Sequence, residues 1–243
     1  MIDIITINYP LEGDRVINTE IDGDITLLDA DVVICDPSEI KERWHDVKRG
    51  NDNVPYMYSP NSDRIRATLS SRKTEVESLL ENGKIIISFL TPLSGFKGEK
   101  GNRSEYDIIT NYDFLPLQQS YFMERLKTGS SAVNYLKHNK QRSLFSPFFD
   151  AFKDEINYSA YLEIDANGDE DYFILNKSNR PVAAMHKVSN GLIVFLPTIP
   201  YKKDDQKLLG VIRSCSKKHL SKHVKTPPPP WVHTFYLEGE KPL

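Results

Sequence analysis

The chain is poor in cysteine. Its 243 residues include only Cys35 and Cys215, with no C-x-x-C pair. Two cysteines so far apart form neither a disulfide framework nor a metal-ligand cluster. No apolar run approaches the roughly 20 residues that a bilayer-spanning helix needs, so no membrane span is expected. The opening "MIDIITINYP" has no basic n-region and no small-residue cleavage site, which makes a cytoplasmic protein the expectation. Strong charge of either sign is missing too. A net charge of −3 gives no whole-chain attraction to nucleic acid or anionic membrane, so such binding would need a local patch.

What is present fits a globular protein: 39% hydrophobic and 27% charged residues, in a chain long enough for a sizeable core. "IDIITI" (2–7) reads as a strand, residues 11–24 as a connection, and "ITLL" (25–28) as a short strand. "DVVICD" (31–36) and "KIIISFL" (84–90) are apolar without in/out alternation, as suits strands buried on both faces of a parallel sheet. Between them Ile65, Leu69, Val76, Leu79 and Leu80 make a helical stripe over 62–82, and Gly83 is a natural C′ stop. Helical stretches are expected at 117–127 and 130–140, and "LFSPFFDAF" (144–152) as a short packed helix or turn.

Later the rhythm changes. "YSAYLEID" (158–165) and "DYFILNK" (171–177) alternate and flank Asn167-Gly168, a hairpin signal. "PVAAMHKV" (181–188) and "GLIVFLP" (191–197) form a second pair. A last helix over 203–222 opens with Asp204 and Asp205 and closes with Lys217, Lys218 and Lys222, matching its macrodipole. The sequence therefore predicts a single α/β domain over 1–224, a three-layer fold with a mainly parallel core sheet and a late antiparallel hairpin section. A Pro-rich tail, 225–243, follows.

Cys35 closes a strand just before "DPSE", a position at which some hydrolases keep a nucleophile. A nucleophile elbow needs small residues two positions either side, because its turn is strained; here those are Val33 and Pro37. Asp36 as N-cap, Pro37 at the first helical position and Glu39 as capping-box partner explain the turn without catalysis. Cys35 and Cys215 are both read as core residues.

The element order resembles the flavodoxin-like, class I glutamine amidotransferase-like domains. The resemblance rests on the helix–Gly–strand step "NGKIIISFL" and on "GLIVFLP" with its closing helix after a hairpin insertion, and it spans residues 2–220. Active members carry a cysteine in a G-x-C-x-G elbow, followed by a histidine and a glutamate. At the matching strand end this chain has Leu90-Thr91-Pro92, and no H-x-E follows "GLIVFLP". The resemblance thus implies a catalytically degenerate member serving recognition or scaffolding, with no catalytic residue.

The stretch 92–106, "PLSGFKGEKGNRSEY", is the main candidate site. It leaves a strand's carboxyl end, where open α/β sheets bind ligands. Gly95, Gly98 and Gly101 alternate with Lys97, Lys100 and Arg103, so backbone amides and cations could together hold an anion. It is neither a Walker loop nor G-x-G-x-x-G. Asp165, Asn167, Asp169 and Asp171 lack the EF-hand's glycine and closing acid. Glu39 and Lys41 open a helix rather than sharing a strand face as in nucleases. His219 and His223 lack the acid of H-E-x-x-H. No metal or cofactor is expected. The run 217–225 is basic but without interleaved aromatics, so nucleic acid is the third reading. The first is a non-enzymatic domain binding a protein partner or small anionic ligand; the second is a hydrolase or transferase using 92–106 on a nucleotide-like anion. In the tail, Trp231, Phe235 and Tyr236 follow Pro227–Pro230. Aromatics of that size favour burial, so this segment is expected to dock on its own domain, a second copy or a partner.

Overall fold

The computed structural model describes residues 2–38, 40, 48–49, 55–57, 61–91, 95–100, 103–117, 127–128, 137–138, 143–156, 158, 160–162, 171–199 and 204–223. Four strands form the centre: β1 (Ile4–Ile7), β3 (Val32–Cys35), β6 (Ile85–Phe89) and β14 (Gly191–Leu196). Every residue in them is buried, which is why their sequences are continuous apolar runs. They lie parallel in the order β1-β3-β6-β14, with Val32 opposite both Ile4 and Ile85, and Ile85 opposite Leu192. The edge beyond β1 is β2 (Val16–Thr19), also parallel. Beyond β14 follow β13 (Pro181–Val188), β12 (Asp171–Leu175) and β10 (Lys137–His138), each antiparallel to its neighbour.

Alternation along the strands divides the core in two. Ile5, Ile7, Val33, Cys35, Ile86 and Ile193 face α1 (Asn61–Glu81), which offers Leu69, Val76, Leu79 and Leu80. Ile4, Val32, Ile34, Ile85, Ile87 and Val194 face α2 (Ser146–Phe152) and α3 (Asp205–Leu220). Helices cover both faces, so the fold is a three-layer α/β arrangement with a mainly parallel sheet and an antiparallel section contributed late in the chain. α1 ends in a Schellman motif. Gly83 is left-handed (φ +74°), its N–H reaches Leu80 O at 3.1 Å, and Lys84 N–H reaches Leu79 O at 3.0 Å.

Several elements differ from the sequence-based expectation. Residues 25–28 form no strand; the edge strand is Val16–Thr19, whose central pair, Ile17 and Asn18, is exposed. Arg72 instead fastens 21–25 as a loop, donating to the carbonyls of Ile21, Gly23 and Ile25. Among the described residues β11 (Ala160–Tyr161) pairs with β9 (Lys127–Thr128) rather than with β12; the turn of the first expected hairpin, Asn167-Gly168, lies outside the described residues. β9 falls at the end of one expected helix and β10 within the other; the rest of 118–142 lies outside the described residues. Within 92–106, residues 95–100 and 103–106 are strand, and 92–94 and 101–102 lie outside the described residues. β7 (Gly95–Lys100) and β8 (Arg103–Thr110) form a hairpin in a second sheet, ordered β4 (Lys48–Arg49), β5 (Pro55–Met57), β7, β8.

Candidate functional site

At the carboxyl edge of the parallel strands the described residues are packed. Cys35 is fully buried and unpaired; burial, then the charge of Asp36, holds its thiol well above the ordinary value. The thiolate needed for nucleophilic attack is disfavoured there. Asp36 caps the next turn, accepting from Ser38 N at 2.9 Å and Ser38 Oγ at 2.7 Å. Beyond β6, Thr91 N donates to Tyr112 Oη at 2.9 Å, and Tyr112 Oη donates to Thr91 O at 2.8 Å. Both residues are buried. The Tyr112 hydroxyl is thus tied to the Thr91 backbone at the end of β6. Cys215 is buried on α3, its thiol pushed up to about 11 by burial.

Of the six candidate anion-binding residues, Lys97 and Gly98 lie inside the second sheet. Lys97 and Gly98 pair with Tyr56 and Met57 of β5 on one edge and with Ile108 and Asp107 of β8 on the other. Backbone amides engaged in ladders are not available to cradle an anion. Gly98 answers to packing: a Cβ there would stand 2.6 Å from Ile109 Cδ1 and 2.8 Å from Arg66 Nη2. Arg66 and Ser62 cross over it from α1 and donate to Glu99 O at 2.9 and 2.7 Å. Gly95 and Lys97 share this strand. The side chains of Lys100 and Arg103, and all of Gly101, lie outside the described residues. So do Trp231, Phe235 and Tyr236.

A large opening lies at the opposite, amino edge. A cavity of about 850 Å³ lies where β3 and β6 begin, between the last turns of α1 and α3. Ile2, Leu28, Leu79 and Leu220 supply apolar wall. Lys84, Arg213, Lys217 and His223 supply basic groups, and Asp31 is the acid among the lining residues. Asp31 is already engaged: Oδ1 takes Lys84 Nζ at 2.5 Å and Oδ2 takes Asp3 N at 3.0 Å. Arg213 donates one Nη to Asp14 O, while its buried Nε has no acceptor among the described residues. Lys217 is exposed, with no ion pair among the described residues. Arg213, Lys217, Leu220 and Ser221 fall on one face of α3 at i, i+4, i+7 and i+8. Gly83 and His223 close the gap between the helix ends, a Gly83 Cβ being placed 2.6 Å from His223 Cβ.

The basic run is split by this geometry. Lys217 and His223 line the cavity and Lys218 and Lys222 face solvent. His219 is half-buried; its pKa is lowered first by burial and then by His223, against a raising bond to the Gly83 backbone. Arg213 and Lys84 escaped the sequence reading because they stand outside the conspicuous run. The i, i+4 pair Arg213 and Lys217 was the available signal, and Lys84 joins it only through the fold. Among the described residues no group of three or more metal-ligating side chains assembles, and no helix is long and apolar enough to cross a membrane.

No family model matches the chain, and no curated protein matches it. Among solved structures, it is similar to a protein of Thermoplasma acidophilum provisionally named as one of the subunits of GMP synthase. Identity is 10% over 91% of this chain and 98% of that one, with a TM-score of 0.42. It is also similar to a cytoplasmic protein of Salmonella typhimurium, at 11% identity over 88% and 95% of the two chains and a TM-score of 0.37. Likeness at these scores assigns no activity.

Proposed function

We propose that this chain is a non-catalytic α/β recognition domain, a degenerate relative of the class I glutamine amidotransferase-like domains, and that it binds a small amphipathic organic anion in the amino-edge cavity. The observation carrying the reading is the pairing of an apolar wall with Arg213 and Lys217, neither matched by an acid among the described residues. The negative ends of two helices also meet here and favour nearby cations, but that effect fades within the last turn. Arg213 stands two turns before the end of α3 and is not accounted for by it. The packed carboxyl edge, with a buried thiol and a locked tyrosine, supports binding over chemistry.

A carboxylate, sulfonate or phosphate monoester on an aryl or short acyl body suits such walls. About 200 Å² of apolar burial contributes about 5 kcal/mol. Charge-assisted hydrogen bonds add about 1.5–3 kcal/mol each, and association costs at least about 4 kcal/mol. Dissociation constants of about 10 µM to 1 mM follow. Calorimetry or ligand-observed NMR on the full chain tests this with 4-phenylbutyrate, octanoate, benzyl phosphate and the neutral 4-phenylbutyramide. The anions should bind and the amide should not, and Lys217→Glu should weaken the anions about tenfold or more. Equal binding of amide and acid, or indifference to Lys217→Glu, would sink the reading.

A further inference from the structure

We infer that the head group taken at the amino-edge cavity is a dianionic phosphate monoester, with Arg213 and Lys217 each matching one of its charges. The inference rests on the preceding reading of this cavity as an anion site and narrows it to one ligand class. The charge count carries it. With histidine counted neutral, the lining residues include three cations, Lys84, Arg213 and Lys217, and one acid, Asp31. Asp31 and Lys84 cancel: Lys84 Nζ stands 2.5 Å from Oδ1, while Oδ2 takes Asp3 N at 3.0 Å. Two positive charges are left. Arg213 is anchored by a carbonyl, Asp14 O, which fixes the guanidinium without neutralising it. Lys217 is exposed and has no ion pair among the described residues.

The arrangement of donors points the same way. Arg213, Ser214 and Lys217 all line the cavity, and their spacing of i, i+1 and i+4 puts the two cations about 6 Å apart along the axis of α3. A carboxylate brings one charge and two coplanar oxygens, so it matches one cation and leaves the other. A phosphate monoester brings about two charges above its second pKa of about 6, with three strong acceptor oxygens. Those suffice for the guanidinium, the ammonium and the Ser214 hydroxyl together. Arg213 and Ser214 stand well inside α3, away from its negative end, whose repulsion of an anion fades within the last turn. A cavity of about 850 Å³ is far more than one phosphate fills, and Ile2, Leu28, Leu79 and Leu220 supply apolar cover for an organic body.

Calorimetry on the full chain at about pH 7.5 tests this, since phenyl phosphate there carries two charges and phenyl sulfate, of the same shape, carries one. Phenyl phosphate should bind about tenfold or more tightly than phenyl sulfate. It should also bind about tenfold or more tightly than inorganic phosphate, which lacks the body. Lys217→Gln should narrow the phosphate-to-sulfate ratio to about threefold or less, because the second charge loses its match. Lys218→Gln removes the same charge one residue away, outside the cavity lining, and should leave the ratio within about twofold of the parent. Lys217 and Lys218 are both exposed, so neither variant should move the melting temperature.

Equal affinity for the two esters overturns the inference; so does a ratio that Lys217→Gln leaves intact, or that Lys218→Gln narrows as much. Inorganic phosphate binding as tightly as phenyl phosphate overturns the assignment to an organic monoester. If phenyl phosphate, phenyl sulfate and 4-phenylbutyrate bind alike and all weaken with Lys217→Glu, the dianion inference fails and the anion reading stands. If none of them binds, or the neutral 4-phenylbutyramide binds as they do, the anion reading itself fails and takes this inference with it.

Discussion

Replacing Arg72 with methionine keeps an apolar stem of similar length and removes the guanidinium. Arg72 is 6% exposed on α1. Its Nε donates to Ile21 O at 2.9 Å and Nη1 to Ile25 O at 2.8 Å, while Nη2 donates to Gly23 O. Nη1 also meets Glu75 Oε2 at 2.6 Å, and Glu75 Oε1 accepts from Thr26 Oγ1 at 2.8 Å. One cation thus organises the loop that carries Leu28 to the cavity wall. Each lost charged hydrogen bond contributes about 1.5–3 kcal/mol, and breaking a buried pair typically costs about 3–5 kcal/mol. These overlap, and Glu75 retains partial solvent access, so the expected loss is about 3–4 kcal/mol rather than their sum. For a chain of this size that lowers the melting temperature by about 6–16 °C. Arg72→Lys should recover less than half, because one ammonium cannot serve three diverging carbonyls. Chemical denaturation of parent, Arg72→Met and Arg72→Lys measures this. A loss below about 1 kcal/mol for Arg72→Met would show that the loop is held by packing and refute the reasoning.

Other outcomes follow from single sites. Gly83→Ala should cost about 1–3 kcal/mol in denaturation, since it combines a left-handed backbone with a Cβ driven onto His223. Tyr112→Phe should cost about 1–3 kcal/mol, leaving the buried Thr91 amide unpaired. Cys35 should resist a thiol reagent in native protein and react only on unfolding; stoichiometric native reaction would contradict its burial. His186 has a pKa lowered to about 4 by burial, below its ordinary 6.5, so the unfolded chain binds its proton first. Its contribution is intact above pH 6.5 and lost as pH falls toward 4, by up to about 3 kcal/mol. Comparing the pH profiles of parent and His186→Leu isolates it, and parallel profiles between pH 6.5 and 4 would refute it.

The central sheet was legible because its strands are buried on both faces. Runs such as "VVIC" and "IIISF", short, β-branched and without alternation, match a covered parallel core, and Gly83 marked a helix end that the Schellman bonds realise. The second sheet was not legible. Glycines and lysines over 95–100 look like a solvated loop, yet Gly98 is there because α1 crosses it closely and Arg66 supplies the bonds. The edge strand Val16–Thr19 failed because it is only four residues long and exposes Ile17, so Val16-Ile17 makes neither a run nor an alternation. The cavity was hidden because its residues come from strand entries, one loop and two helix ends, distant in sequence. The basic run of α3 was visible, but which of its cations turn inward depends on how the helix seats against Gly83.

The central claim is that this domain binds at the amino edge of its sheet. Amide chemical-shift mapping of the full chain during titration with 4-phenylbutyrate tests it most directly. The account predicts saturable shifts concentrated at Ser78–Lys84 and Arg213–His223, with little change at Asp36, Thr91 or Tyr112. Shifts centred on the carboxyl edge, or on Gly95–Gly98, would contradict it.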